Sequence, residues 1–224
     1  MRKMNSSLVI RHYPTSEYLS LWQAMQNFSQ NRHATTSDEI WLLEHKPVFT
    51  QGLAGKPEHI LMQSDIPIVQ TDRGGQVTYH GPGQLMCYTL LDLNRLDIGP
   101  RELVIRLERV IINLLAKYKI NASGCRQAPG VYVNNTKICS IGLRVHRGYC
   151  YHGMALNVDM DLSPFQMINP CGHTGLKMTQ IKSFCPRIKM TQIKNQLIDT
   201  FCTVFGYTGP HSLTHQERMN EHIP

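Results

Sequence analysis

The sequence predicts an α+β domain, a mixed β-sheet flanked by helices, on three observations. Apolar residues recur at helical spacing near the start, in the middle and near the end of the chain; the stretches between them are apolar runs of strand length; and turn residues separate those runs. The 224 residues suit one domain whose core needs neither disulfides nor metal. We place that domain at residues 1–210 and read 211–224, HSLTHQERMNEHIP, as a polar frayed tail.

Taken in order, residues 17–31 carry Leu21, Trp22, Met25 and Phe28 on one helical face, and 40–49 read as strand. IPIVQ at 66–70 and LMCYTLLDL at 85–93 are two further strands around a polar loop. Helix 100–119 opens on Pro100, whose missing N–H is one that a first turn leaves unpaired anyway. Its apolar face is Leu103, Leu107, Val110, Ile111, Leu114, Leu115 and Tyr118. From Gly130 the period drops to two. GVYVNNTKICSIGL reads as a hairpin turning at Asn134 and Asn135, because Asn tolerates left-handed backbone, and LRVHRGYCYHGMALNVDM as another turning at Arg147 and Gly148. Helix 191–205 follows. MTQIK occurs at Met178 and again at Met190, but two copies make no repeat architecture.

Composition narrows the classes. Seven cysteines, an odd number with no Cys-x-x-Cys pair, and a start without the apolar core of a signal peptide imply a reducing cytoplasm. No apolar run is long enough to cross a bilayer. Lys plus Arg total 23 against 16 acidic residues, a formal charge of +7, which favours an acidic partner. Nucleic acid fits poorly, since the basic residues are scattered without interleaved aromatics; an acidic protein fits better. His211 and His215 are the one close histidine pair and fall in the tail, so no metal site is expected.

Three segments carry chemistry. RGGQVTYHGPGQ, at 73–84, packs four glycines beside Arg73, Thr78, Tyr79 and His80, poor core material but suitable for a loop that lies against a ligand. It is no phosphate cradle, since it lacks the Gly-x-Gly-x-x-Gly spacing and Pro82 removes a donor. NPCGHTG, at 169–175, presents Cys171 on a polar loop, ahead of a stretch around 177–182 that could turn helical. A thiol with an ordinary pKa near 8.5 needs a helix N-terminus or a cation to act as a nucleophile. KICSIG, at 137–142, follows a hairpin turn, where Lys137 would ordinarily be a solvated charge; the small residues after it, and His152 and Gly153 beyond, suggest a second pocket wall. Strand alternation puts Cys139 on the face of Lys137, which makes Cys139 the rival nucleophile.

Together RGGQVTYHGPGQ, KICSIGLRVHRGYCYHGMALNVDMDL and INPCGHTGLKMTQ, in that order, resemble the lipoyl(octanoyl) transferase family, and EHKPVFTQGLAG at 44–55 resembles its early strand and loop. The resemblance covers about residues 40–185. It implies the biotin and lipoate protein ligase fold and transfer of an octanoyl group from acyl carrier protein to a lysine of a lipoyl domain, on 2-oxoacid dehydrogenases or the glycine-cleavage H protein. It implies Cys171 as the acyl-thioester nucleophile and Lys137 as the lysine that activates it, with Arg73, Gly74, Gly75, Gln76, Val77, Thr78, Tyr79, His80, Ser140, Ile141, Gly142, Gly153, Met154 and Ala155 as substrate-binding segments. No cofactor is implied, because thioester-to-thiol exchange is nearly isoenergetic and needs no ATP. A monomer is expected. The family pattern usually has a small apolar residue where this chain has Cys139. His80 and His152 are read as pocket walls, and amides near Cys171 and Gly142 as oxyanion donors. The alternative is an ATP-dependent lipoate or biotin ligase, which would leave Cys171 idle; a non-catalytic carrier-protein or nucleic-acid binder would leave both Cys171 and Lys137 idle.

Overall fold

Strands whose two faces are both buried form the centre of this fold. The computed structural model describes residues 8–208 and 210–213. In chain order the elements are β1 (Leu8–His12), α1 (Tyr18–Gln30), β2 (Asp38–Leu43), β3 (Val48–Gln51), β4 (Ile68–Gln70), β5 (Thr78–His80), β6 (Gln84–Asp92), α2 (Leu93–Leu96), α3 (Pro100–Ala116), β7 (Ser123–Gly124), β8 (Gly130–Val133), β9 (Thr136–His146), β10 (Tyr149–Asn157), α4 (Met190–Phe205) and β11 (Pro210–Leu213). An eight-stranded mixed sheet runs β11-β1-β2-β6-β10-β9-β8-β7, and a three-stranded sheet runs β4-β3-β5.

Alternation along the central strands sorts side chains into two layers. Ile40 and Leu42 of β2, with Leu85, Cys87 and Leu91 of β6, meet the apolar faces of α3 and α4; Trp41, Leu43, Met86, Tyr88 and Leu90 meet Leu21 and Met25 of α1. Both faces are therefore covered, and the strand sequences read as continuous apolar runs. The two hairpin turns form as expected: Asn134 and Asn135 stand at φ 47° and 62°, and Arg147 and Gly148 at 51° and 83°.

Residues 40–49 do not form one strand. The chain leaves the large sheet after Leu43 and re-enters as β3 of the small sheet, because Pro47 between them has no N–H for a ladder. The glycine-rich loop likewise contains a short strand, β5, which pairs with β3 through Thr50↔Thr78. At the other end, residues 210–213 pair in parallel with β1, so the first residues of the expected tail belong to the sheet edge. His215 and the rest of that tail lie outside the described residues.

Candidate active site

Cys171 sits in a single 3₁₀ turn, Pro170–Gly172, and carries a left-handed backbone at φ 57°. Its amide donates to the Val77 carbonyl at 3.0 Å, which ties the thiol loop to the glycine-rich loop. Lys137 approaches from β9: its Nζ donates to Cys171 Sγ at 3.1 Å and to the Pro129 carbonyl at 3.1 Å, over the Tyr132 ring at 5.3 Å. Backbone bonds on both sides, Lys137 to the Lys177 carbonyl and Thr179 to the Lys137 carbonyl, each 2.9 Å, fix where that lysine stands.

Lys137 is 1% exposed and pairs with no carboxylate among the described residues. Burial pushes its ammonium toward the neutral form, but the Cys171 sulfur and the Tyr132 hydroxyl outweigh that and raise its pKa above the usual lysine value. A buried cation needs a partner, and the Cys171 sulfur is the one within reach of Lys137. Gly130 makes room for it, since a Cβ there would lie 2.7 Å from Lys137 Cε and 2.5 Å from the Cys139 carbonyl.

The pair opens into a cavity of about 460 Å³. Every substrate-contacting residue expected from the sequence lines it except Val77 and Tyr79. Those two belong to strand β5 and its approach, and alternation turns them away into an apolar cluster with Phe49 and Phe165. The cavity also recruits His173 of the NPCGHTG motif, and Tyr18, Met86, Tyr88, Pro100 and Val104, which no local motif announces.

One wall of the cavity is polar but uncharged, apart from Arg73. His45 Nε2 meets the Tyr88 hydroxyl at 2.5 Å, His80 meets Thr50 Oγ1 at 3.1 Å and Gln84 Oε1 at 2.7 Å, and Arg73 donates to Thr50 and to the Gly74 carbonyl. Burial holds His45 down to about 4 and pushes Tyr18 up to about 12. His152 donates from Nε2 to Asp72 at 2.8 Å. Burial pushes the Asp72 carboxyl up, yet His152, Tyr151, Trp22 and Gln26 all bond it and hold it well below the usual carboxylate range. Strict alternation would forbid Tyr151 and His152 from reaching one carboxylate; His152 does so at φ 61°. Two buried atoms on this wall, Thr78 Oγ1 and His152 Nδ1, have no hydrogen-bond partner among the described residues.

Three expectations are corrected. Cys139 does not share the face of Lys137: β9 bulges at Ile138, where Val131↔Cys139 is followed by Tyr132↔Lys137, and Cys139 turns into the core. Burial pushes its thiol up to about 12. Residues 177–182 do not form an α-helix: 177–179 lie alongside Lys137 and only Ile181–Ser183 makes a 3₁₀ turn, so the thiol's electrostatic partner is Lys137. The amides of Cys171, Gly172 and His173 are already bonded to the carbonyls of Val77, Asn169 and Pro170, so none is free for an oxyanion.

Residues 17–202 match the family model "Lipoyl protein ligase A/B catalytic domain". The chain belongs to that family. It is 54% identical over 201 residues to an octanoyltransferase of Hahella chejuensis, covering 90% of both chains. An octanoyltransferase of Shewanella putrefaciens is 53% identical over 216 residues, covering 96% of this chain and 98% of its own. Among solved structures, the family fold recurs in a bipartite lipoate protein ligase from Thermoplasma acidophilum, with a TM-score of 0.73 at 14% identity over 96% of this chain and 90% of that one. Biotin protein ligase from Aquifex aeolicus shares it more distantly, at a TM-score of 0.53 and 10% identity, over 89% of this chain and 69% of that one. These structures establish the fold, that of the lipoate and biotin protein ligases.

Proposed function

We propose that the protein is an octanoyltransferase of protein lipoylation, moving an octanoyl group from the thioester of acyl carrier protein to a lysine of a lipoyl domain. The observation that carries this reading is the buried Lys137 ammonium 3.1 Å from the Cys171 sulfur, facing a cavity of about 460 Å³. In the first half-reaction the Cys171 thiolate attacks the donor carbonyl; the new C–S bond forms as the old one breaks, and the carrier leaves as its own thiolate. Thr78 Oγ1, one peptide bond beyond the carbonyl that holds Cys171, is a donor left free for the developing oxyanion.

Acylation then removes the anion that kept Lys137 charged, while its burial remains. The balance that raised the Lys137 pKa reverses, so the lysine passes its proton to the departing carrier thiolate and, as a neutral amine, takes one from the incoming substrate lysine. The amine attacks the thioester, an amide forms, and Cys171 leaves as a thiolate beside the Lys137 ammonium that this proton has restored. No nucleotide enters either step. The donor and typical lipoyl domains are acidic, which suits the +7 chain. No helix among the described residues is long and apolar enough to cross a membrane. All seven cysteines are free, which supports a place in a reducing cytoplasm.

The test is intact mass measurement after incubation with octanoyl acyl carrier protein without ATP. One octanoyl group on Cys171, discharged by a lipoyl domain, is the expected result; labelling that requires ATP and free octanoate would make the protein a ligase.

A further inference from the structure

A second cavity, of about 610 Å³, adjoins the one that Cys171 lines: the two share Ala128 and His173, the latter two residues beyond Cys171. We propose that this second cavity holds the arm of the acyl donor, a chain of secondary amides ending in a phosphodiester, with Lys177 facing the phosphate. The proposal rests on the thioester-donor reading above and adds the site of the donor's non-reacting part.

Geometry requires such a place. When the donor sulfur stands at Cys171 and its acyl chain fills the first cavity, the rest of the arm must leave on the other side of the sulfur. The lining there matches amide chemistry rather than hydrocarbon: Asn134 and Asn135 at the hairpin tip, Thr174 opposite, and the Tyr132 ring that also covers Lys137. No Asp or Glu among the described residues lines the cavity; the Glu108 carboxylate lies behind Gly124 and accepts from the Gly130 amide at 3.0 Å. Lys177 is exposed and forms no ion pair among the described residues. Its carbonyl accepts the Lys137 amide at 2.9 Å, which holds the phosphate end of the groove in fixed register with the reacting pair.

The experiment measures first-turnover acylation of Cys171 by octanoyl-phosphopantetheine and by octanoyl-pantetheine, which lacks the phosphate. Lys177→Gln should lower the ratio of their rate constants about fivefold, the scale of one exposed charge pair, and the wild-type ratio should shrink toward that of the variant in high salt. Asn134→Gly with Asn135→Gly keeps the left-handed turn and removes both side-chain amides, so it should slow both donors alike. An unchanged ratio in Lys177→Gln overturns the proposal. A loss confined to transfer from preformed acyl-enzyme to the lipoyl domain also overturns it, by giving the groove to the acceptor. If wild-type Cys171 takes octanoyl from neither thioester, the transferase reading itself falls.

Discussion

Lys137 Nζ stands 3.1 Å from Cys171 Sγ although 34 residues separate them, and that distance joins the two motifs into one reactive pair. Cys171→Ala should abolish both the acyl-enzyme and transfer, while Cys139→Ala, in the core, should leave both nearly intact. Cys171→Ser should be slow, since an alcohol is far from ionisation at pH 7. Intact mass after octanoylation distinguishes the variants; loss of acylation in Cys139→Ala would transfer the nucleophile's role to that residue.

The same distance makes the thiol's reactivity depend on its neighbour. Lys137→Ala should slow alkylation of Cys171 by iodoacetamide at pH 7 about tenfold or more, and Lys137→Arg should recover part of that rate while transfer to the lipoyl domain stays low, because a guanidinium keeps the charge but gives up no proton. Gly130→Ala should act as a milder Lys137 lesion, since the added methyl would press on Lys137 Cε and on a backbone carbonyl at a φ of +143°. Equal alkylation rates across Lys137→Ala and wild type would dissolve the pair.

Much of this site was legible because its chemistry lies in short contiguous motifs. Arg73, Thr78, His80, Ser140 and Gly142 line the cavity because loop and strand bring whole segments to it. What failed was an inference that extended a period through an irregularity. The bulge at Ile138 removed Cys139 from the pocket face, a deviation with no local signature because it is set by strand pairing across the sheet. His152 lines the cavity as expected, but its positive φ, which brings its ring to the same carboxylate as Tyr151, has no local signature either. Asp72 was missed for another reason: it stands beside Arg73 in sequence, but its donors Trp22, Gln26, Tyr151 and His152 come from α1 and β10. Pro47, by contrast, was visible and should have ended the strand read over 40–49.

Three buried histidines set an acid limit on stability. Burial holds His45 at about 4, His80 well below 6.5 with His45 and Arg73 adding repulsion, and His152 below 6.5 despite Asp72. Each is neutral when folded and takes up a proton near pH 6.5 once unfolded, so the unfolded chain binds more protons and stability falls as pH drops from about 6.5 toward 4. At about 1.4 kcal/mol per pKa unit, His45 alone accounts for a loss of about 3 kcal/mol by pH 4. Asp72 has the opposite charge type: its depressed pKa contributes stability above the unfolded value of 3.8 and is lost below it, so it leaves this window unmasked. The urea midpoint should therefore fall between pH 7 and pH 5, and a flat midpoint would contradict buried neutral imidazoles.

Chain-length preference should come from the depth of the cavity. Each buried methylene is worth about 0.8 kcal/mol, so roughly six of them favour octanoyl over acetyl by on the order of 5 kcal/mol, a few thousandfold. The glycines around the cavity do not contribute alike. A Cβ at Gly153 would lie 2.1 Å from the Cys87 carbonyl, so that glycine serves close approach of β10 to β6, and Gly75 holds a φ of +89°. Leucine at either position should damage the fold or the loop. At Gly142 a Cβ would meet the side chain of Arg73 at 3.1 Å and the Gly74 carbonyl at an ordinary contact distance of 3.5 Å, with no closer backbone, so Gly142→Leu should press on Arg73 and fill the cavity with the backbone intact. It should shift competition between butanoyl and octanoyl carrier proteins toward butanoyl, while Cys171 still accepts the short chain. If Gly142→Leu keeps the wild-type preference with the fold intact by circular dichroism, the acyl chain runs elsewhere along the cavity.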